Sequence, residues 1–183
     1  MKPIYSVILK YGFIGSLMAM LLIIVLFYAG KHPLLIPLFV DYRIILFGIF
    51  IFFALREFRS YYNNDLLQFW QGIAIGIGIY VIIGITVGVF IIVFSALQPA
   101  FHDQYVQGTI SGLMLEKDQL INQGKITISE EEFERQVDLL KDSSTYVLAI
   151  DYFIKSCVVG FFITIILAVL LRKSEKRFGN DLK

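Results

Sequence analysis

The chain has 183 residues, of which 57% are hydrophobic and only 17% charged, whereas soluble domains are nearer half apolar and a quarter charged. With a mean hydropathy of +0.74, most of the chain must lie in or against lipid, which leaves room for one small membrane domain and no separate soluble enzyme domain. A net charge of +1 from scattered basic residues argues against a nucleic-acid partner, and the single Cys157 excludes an intramolecular disulfide and any cysteine metal site.

The first long apolar window runs from about Tyr11 to Ala29, preceded by Lys2 and Lys10. Its apolar core exceeds the 7 to 15 residues usual in a signal peptide and no A-x-A-like site follows, so it reads as a retained helix. The second window runs from about Phe39 to Leu55 and ends at Arg56 and Arg59. Pro33 and Pro37 before it favour a bent entry over a straight helix.

The third window is the plainest. No Asp, Glu, Lys or Arg occurs between Asp65 and Asp103. Its apolar heart, Gln71 to Leu97, would reach roughly 40 Å as a helix, more than the ~30 Å of a hydrocarbon core. Within it Gly72 and Gly76, then Gly84 and Gly88, form two small-xxx-small pairs that let helix backbones approach closely. Gly84 lies about 120° around a straight helix from Gly72. The pairs are therefore expected to face different neighbours and to make this helix the packing hub, within one chain rather than across a homodimer seam.

Residues 98–145 are the one long polar region, with nine acids against four bases. Pro99 to Asn122 reads as helical, with Phe101, Tyr105, Leu113 and Leu120 available to pack, although Gly108 and Gly112 weaken it. Gln123-Gly124-Lys125 is the expected turn. Ser129 and Glu132 have capping-box spacing, and Ile128 and Phe133 that of a hydrophobic staple. Phe133, Val137 and Leu140 then recur at helical spacing, predicting a short amphipathic helix over Glu130 to Lys141. This helical hairpin is either a connector that caps the bundle or a docking face for a basic partner. The last apolar window, about Tyr146 to Leu171, is stopped by Arg172 and Lys173.

The expected fold is thus an all-α membrane protein: four transmembrane helices at about 11–29, 39–55, 71–97 and 146–171 in an up-and-down bundle, with an extracytoplasmic helical hairpin, 98–145, between the third and fourth. With the N-terminus inside, nine Lys and Arg fall inside and five outside, of which only Lys31, Arg135 and Lys141 lie near a membrane end. Both termini are expected to be cytoplasmic. Tyr61, Tyr62 and Trp70 would settle at the inner boundary, and Tyr28, Tyr42, Phe101 and Tyr146 at the outer one.

Candidate chemistry is sparse. Asp41 and Arg43 enter the second helix, while Asp151 and Lys155 lie four apart on one face of the fourth, the favourable acid-to-lysine order. A lone charge near the bilayer centre costs roughly 2.5–3.5 kcal/mol, so pairing is expected: Asp151 with Lys155 or Arg43, and Asp41 with the other base. Structural locking or snorkelling is the bland reading of this cluster, and an ion or proton site the sharp one. His32 and His102 lack metal-ligand spacing. Cys157 reads as a small packing residue. No nucleophile, metal set or cofactor fingerprint is present, so no catalytic residue and no cofactor is expected.

The stretch Ala54-Leu-Arg-Glu-Phe-Arg-Ser-Tyr-Tyr-Asn-Asn, leading to Phe69-Trp-Gln-Gly72-Ile-Ala-Ile-Gly76, resembles the link between second and third helices in the family catalogued as domain of unknown function 4199. The polar insertion from Pro99, its Ser129-Glu-Glu-Glu-Phe helix and the apolar finish at Arg172-Lys173 are similar in order and spacing. The resemblance implies a small four-helix protein of the bacterial cytoplasmic membrane, found mainly in Bacteroidota, with no catalytic or ligand residues to carry over. A non-catalytic accessory or interaction protein is the preferred expectation. It would contact the lipid bilayer and either a membrane-protein partner or further copies of itself. A small oligomeric transporter or channel is the alternative.

Overall fold

The computed structural model describes residues 2–37, 40–122 and 130–173. Six helices make up the described chain: α1 (Lys2–Tyr28), α2 (Tyr42–Glu57), α3 (Phe69–Leu97), α4 (Pro99–Asn122), α5 (Glu130–Lys141) and α6 (Thr145–Leu170). Three of them, Pro3–Tyr28 within α1, α3 and α6, are long and apolar enough to cross a membrane. The expected bounds of α4 and α5 coincide with those found. The turn at Gln123-Gly124-Lys125, the Ile128 staple and the Ser129 cap lie outside the described residues, as do Lys176, Arg177, Lys183 and the expected start of the second helix at Phe39.

α1 begins at Lys2, well before the Tyr11 expected from hydropathy, because Lys10 does not break it. Its ammonium reaches a Glu57 carboxylate oxygen at 2.7 Å, and the Tyr11 hydroxyl donates to the same oxygen at 2.7 Å. The helix stops where Gly30 adopts φ +76°. Gly30 N–H bonds Phe27 C=O and Lys31 N–H bonds Leu26 C=O, each at 3.0 Å, the doubled termination that a left-handed glycine permits.

α2 runs into a π-helical turn at Phe58–Tyr62 before the chain reverses. Asn64 and Asp65 make that reversal with φ of 49° and 59°, a conformation their short polar side chains tolerate. Gln68 and Gln71 then cap α3 reciprocally. The carboxy end of α6 is strapped onto this link: Leu67 and Lys173 exchange two backbone hydrogen bonds of 2.8 and 3.0 Å. Asp65 bonds the Lys173 ammonium and sits 3.1 Å from Arg59 Nε. The Lys173 hydrogen bond, first, holds the Asp65 carboxyl below its usual range.

Contacts fix the helix directions. Ile8 meets Gly78 and Gly12 meets Ile82, so α1 and α3 run parallel, while Gly72 faces Ala168 and Gly88 faces Ala149, so α6 runs against α3. Tyr11 meets Glu57 and Gly15 faces Phe50, so α2 runs against α1, while Arg43 meets Tyr152 and Arg59 meets Leu171, so α2 runs along α6. α3 packs chiefly on α6 and α1, and α2 on α6 and α1.

The glycine expectation needs correction. Both pairs face α6: a Cβ on Gly72 would meet Ala168, on Gly76 Thr164, on Gly84 Phe153 and on Gly88 Ala149. Between them Tyr80 stands against Gly160. Positions 72, 76, 80, 84 and 88 form one ridge of four-residue steps, which winds around a straight helix by about 40° per step. A neighbour whose own four-residue ridge interdigitates with it crosses obliquely and follows the winding. The 120° offset is therefore absorbed by one tilted partner. α3 is still the hub, since Gly78 of α3 admits Ile8, and Gly12 and Gly15 of α1 admit Ile82 and Ile83.

The polarity of the bundle is inside-out. Phe13, Leu17, Leu21 and Val25 of α1, Ile85, Val89 and Val93 of α3, and Ile154, Phe162 and Ile166 of α6 are all exposed. Apolar surface on this scale suits a lipid environment.

Candidate functional site

The four predicted charges lie at the end of the bundle where α4 joins it, in two separate pairs. Asp41 caps α2, its carboxylate accepting from Arg43 N–H at 2.9 Å and from Arg43 Nε at 2.8 Å, with Nη2 bonded as well. An N-cap aspartate followed two residues later by arginine thus becomes a closed local ion pair. Both residues are buried, at 2% and 1% exposure. α6 covers the pair with Tyr152: Arg43 Nη1 donates to Tyr152 C=O at 3.4 Å and the guanidinium lies 5.2 Å from the ring centroid.

The second pair is more open. Lys155 Nζ donates to Asp151 Oδ2 at 2.7 Å and to the Leu34 carbonyl at 3.1 Å. That carbonyl belongs to a 3₁₀ turn at Pro33–Leu35, and Pro33 within it and Pro37 just beyond it produce the bent entry. One lysine therefore ties α6 to the α1–α2 loop. Tyr105 of α4 faces Asp151, and burial, then this carboxylate, push its phenol up to about 12.

α4 is wedged in place by aromatic rings. Phe101 is fully buried, not a boundary residue as its position in the sequence suggested. Its ring stands 5.3 Å from that of Phe27, 5.1 Å from that of Phe94 and 4.5 Å from that of His32. Burying such a ring contributes roughly 1.5–3 kcal/mol, and edge-on pairs add about 0.5–1.5 kcal/mol each. α4 follows α3 after one residue, so the sequence forces Phe101 back onto the bundle end. Tyr28, Tyr61, Trp70 and Tyr146 are exposed as boundary rings should be.

The histidines do not meet. His32 Nε2 bonds the Phe101 carbonyl at 3.0 Å, while His102 Nε2 bonds the Ser143 carbonyl at 2.9 Å. No group of three metal-ligating side chains occurs among the described residues. Burial, then the Lys155 charge, lower the His32 pKa to about 4, against the Phe101 hydrogen bond that raises it. In an unfolded chain the ring titrates near 6.5. Between these values the unfolded chain holds a proton that the folded one lacks, so stability should fall as pH drops from about 6.5 toward 4. His32→Phe should flatten that part of a stability-against-pH curve in detergent. Identical slopes in variant and wild type would exclude His32 as the source.

Three groups escaped prediction: Glu57 with Lys10 and Tyr11, the Asp65 clasp, and Tyr152 over Arg43. Glu57 is one of only two acids before Asp65, a usable signal. The others depend on inter-helix register, which leaves no local mark.

Long apolar helices, lipid-compatible exposed faces and charges neutralised in pairs define an all-helical membrane protein in contact with lipid. Within that class, the chain belongs to the family described as Protein of unknown function (DUF4199), which it matches over residues 10–173. No curated protein and no solved structure matches it.

Proposed function

We propose that the protein is a non-catalytic accessory or interaction protein of the bacterial cytoplasmic membrane, which presents the α4–α5 hairpin to a partner with a basic face. One observation carries this reading. Between α4 and α5 lies a groove of about 360 Å³ with Met114, Phe133 and Val137 as apolar floor and Lys117, Glu134, Asp138 and Lys141 at its edges. α5 packs on α4 rather than on the bundle. Leu139 is 64% exposed on it, and the 98–145 region is acidic. Within the bundle Asp41 is occupied by Arg43 and Asp151 by Lys155, and at the groove Asp138 is paired with Lys141 at 3.1 Å.

The proposal includes four crossings. α2 proper has 16 residues, about 24 Å, yet it continues through the π-helical turn to Tyr62, and the whole stretch spans about 30 Å. Its exposed face carries Ile45, Ile49 and Phe53, as apolar as that of its neighbours. The Lys and Arg distribution then supports cytoplasmic termini and an outer hairpin. A reporter fused after Lys183 that is active only outside the cell would overturn this orientation.

A photo-crosslinking residue in place of Leu139, followed by mass spectrometry of the crosslinked membrane fraction, is the direct test. The expected result is a defined heteromeric partner, lost when Glu134 and Asp138 are changed to Lys. A homo-oligomer that conducts ions in liposomes would instead establish the alternative, a small channel or transporter.

A further inference from the structure

We infer that the lipid-facing seam between α1 and α2 is a binding site for one anionic phospholipid. Two hollows follow this seam. The first, about 320 Å³, is lined by Tyr11 and by Phe53, Arg56, Glu57, Ser60 and Tyr61. The second, about 350 Å³ and almost wholly apolar, lies farther along between Met18 and Leu22 of α1 and the Ile45, Ile49 and Phe50 side of α2. Each is at the lower end of the size range of small-molecule sites.

Ile45, Ile49, Phe53, Arg56 and Ser60 are spaced by steps of four or three, hence form one stripe of α2 and its π-helical continuation. The stripe changes from apolar to cationic once. From Ile45 to Arg56 it covers about 16 Å, close to half of a ~30 Å hydrocarbon core. That is the reach of one lipid in one leaflet, with its acyl chain over Ile45 and Ile49 and its phosphate at Arg56.

The charge at the first hollow fits. Glu57 also lines it, but its carboxylate is taken by Lys10 and Tyr11. Arg59 bonds Asp65 and Lys173 bonds Asp65 too. Arg56 is exposed and has no ion pair or hydrogen bond among the described residues. A planar guanidinium beside the Ser60 hydroxyl suits bidentate recognition of a phosphate oxygen pair. The site does not depend on which side of the membrane this end occupies.

Native mass spectrometry of the full chain in detergent tests the inference, with dioleoyl-phosphatidylglycerol, dioleoyl-phosphatidylcholine and inorganic phosphate as separate probes. The wild type should retain one phosphatidylglycerol roughly fivefold or more tighter than phosphatidylcholine, the increment expected for one arginine at an anionic headgroup. Arg56→Gln should erase that preference, and Ile49→Trp, which fills the second hollow, should weaken both lipids. Arg172→Gln, at an exposed arginine outside the seam, should change neither. Equal retention by Arg56→Gln and wild type would overturn the site, as would an equal loss in Arg172→Gln. Displacement of the lipid by inorganic phosphate alone, or a copurifying protein seated on the seam, would overturn the choice of a lipid.

Discussion

Adding a single methyl group at Gly76 should destabilise the protein by about 1–3 kcal/mol, the usual cost of overpacking a tight core. The new Cβ would overlap the Thr164 side chain, whose own Cβ would be 2.8 Å away. Thr164 is fixed on α6 at 1% exposure and has nowhere to turn. The same substitution at Gly160 would place a Cβ 2.5–2.7 Å from Tyr80, so the two sides of the α3–α6 contact should respond alike. Gly48 supplies the control, because nothing lies within 4 Å of a Cβ there. Gly48→Ala should be neutral or gain up to about 1 kcal/mol from helix propensity. Thermal or denaturant unfolding in a single detergent would measure all three. If Gly76→Ala and Gly48→Ala were equally benign, α3 and α6 would not be in the contact described.

A second large effect is expected from Asp41→Ala. The substitution removes the carboxylate that holds the buried Arg43 guanidinium, and breaking a buried pair in this way costs about 3–5 kcal/mol. Loss of the α2 cap is part of that figure, at about 0.5–2 kcal/mol. Asp41→Asn combined with Arg43→Met should restore most of the stability. An asparagine still accepts from the backbone N–H of position 43, and methionine fills the guanidinium's space beneath Tyr152 without a charge. A double-mutant cycle on the same unfolding assay should therefore show strong coupling between the two positions. Independent, additive losses would mean that the charges do not neutralise one another.

These effects separate what is local from what is not. The bounds of α4 and α5 were legible to the residue because their signals are local: a proline start and helical recurrence of Phe133 and Val137. Pairing of Asp151 with Lys155 was legible for the same reason, since four residues make one helical turn. Asp41 and Arg43 are two apart, a spacing that does not face on a helix, and they meet only because Asp41 is the cap rather than part of the helix. The burial of Phe101 was missed because an aromatic residue after a long apolar helix reads as a boundary ring. Only the fold-back of α4 puts Phe27, Phe94 and His32 around it.

By itself, the sequence determined that the chain belongs in lipid, where its apolar helices lie and which residues are small enough for close contact. Free energy of transfer and helical periodicity act on neighbouring residues, so they can be read along the chain. Which helix receives the glycine ridge, what lines the α1–α2 seam, and which cation there is left without a carboxylate were decided by the tertiary structure alone. Those properties depend on helix crossing and register, and a one-dimensional pattern around an idealised straight cylinder contains neither. The two glycine pairs show the difference most clearly: about 120° apart on such a cylinder, they face one tilted helix in the folded protein.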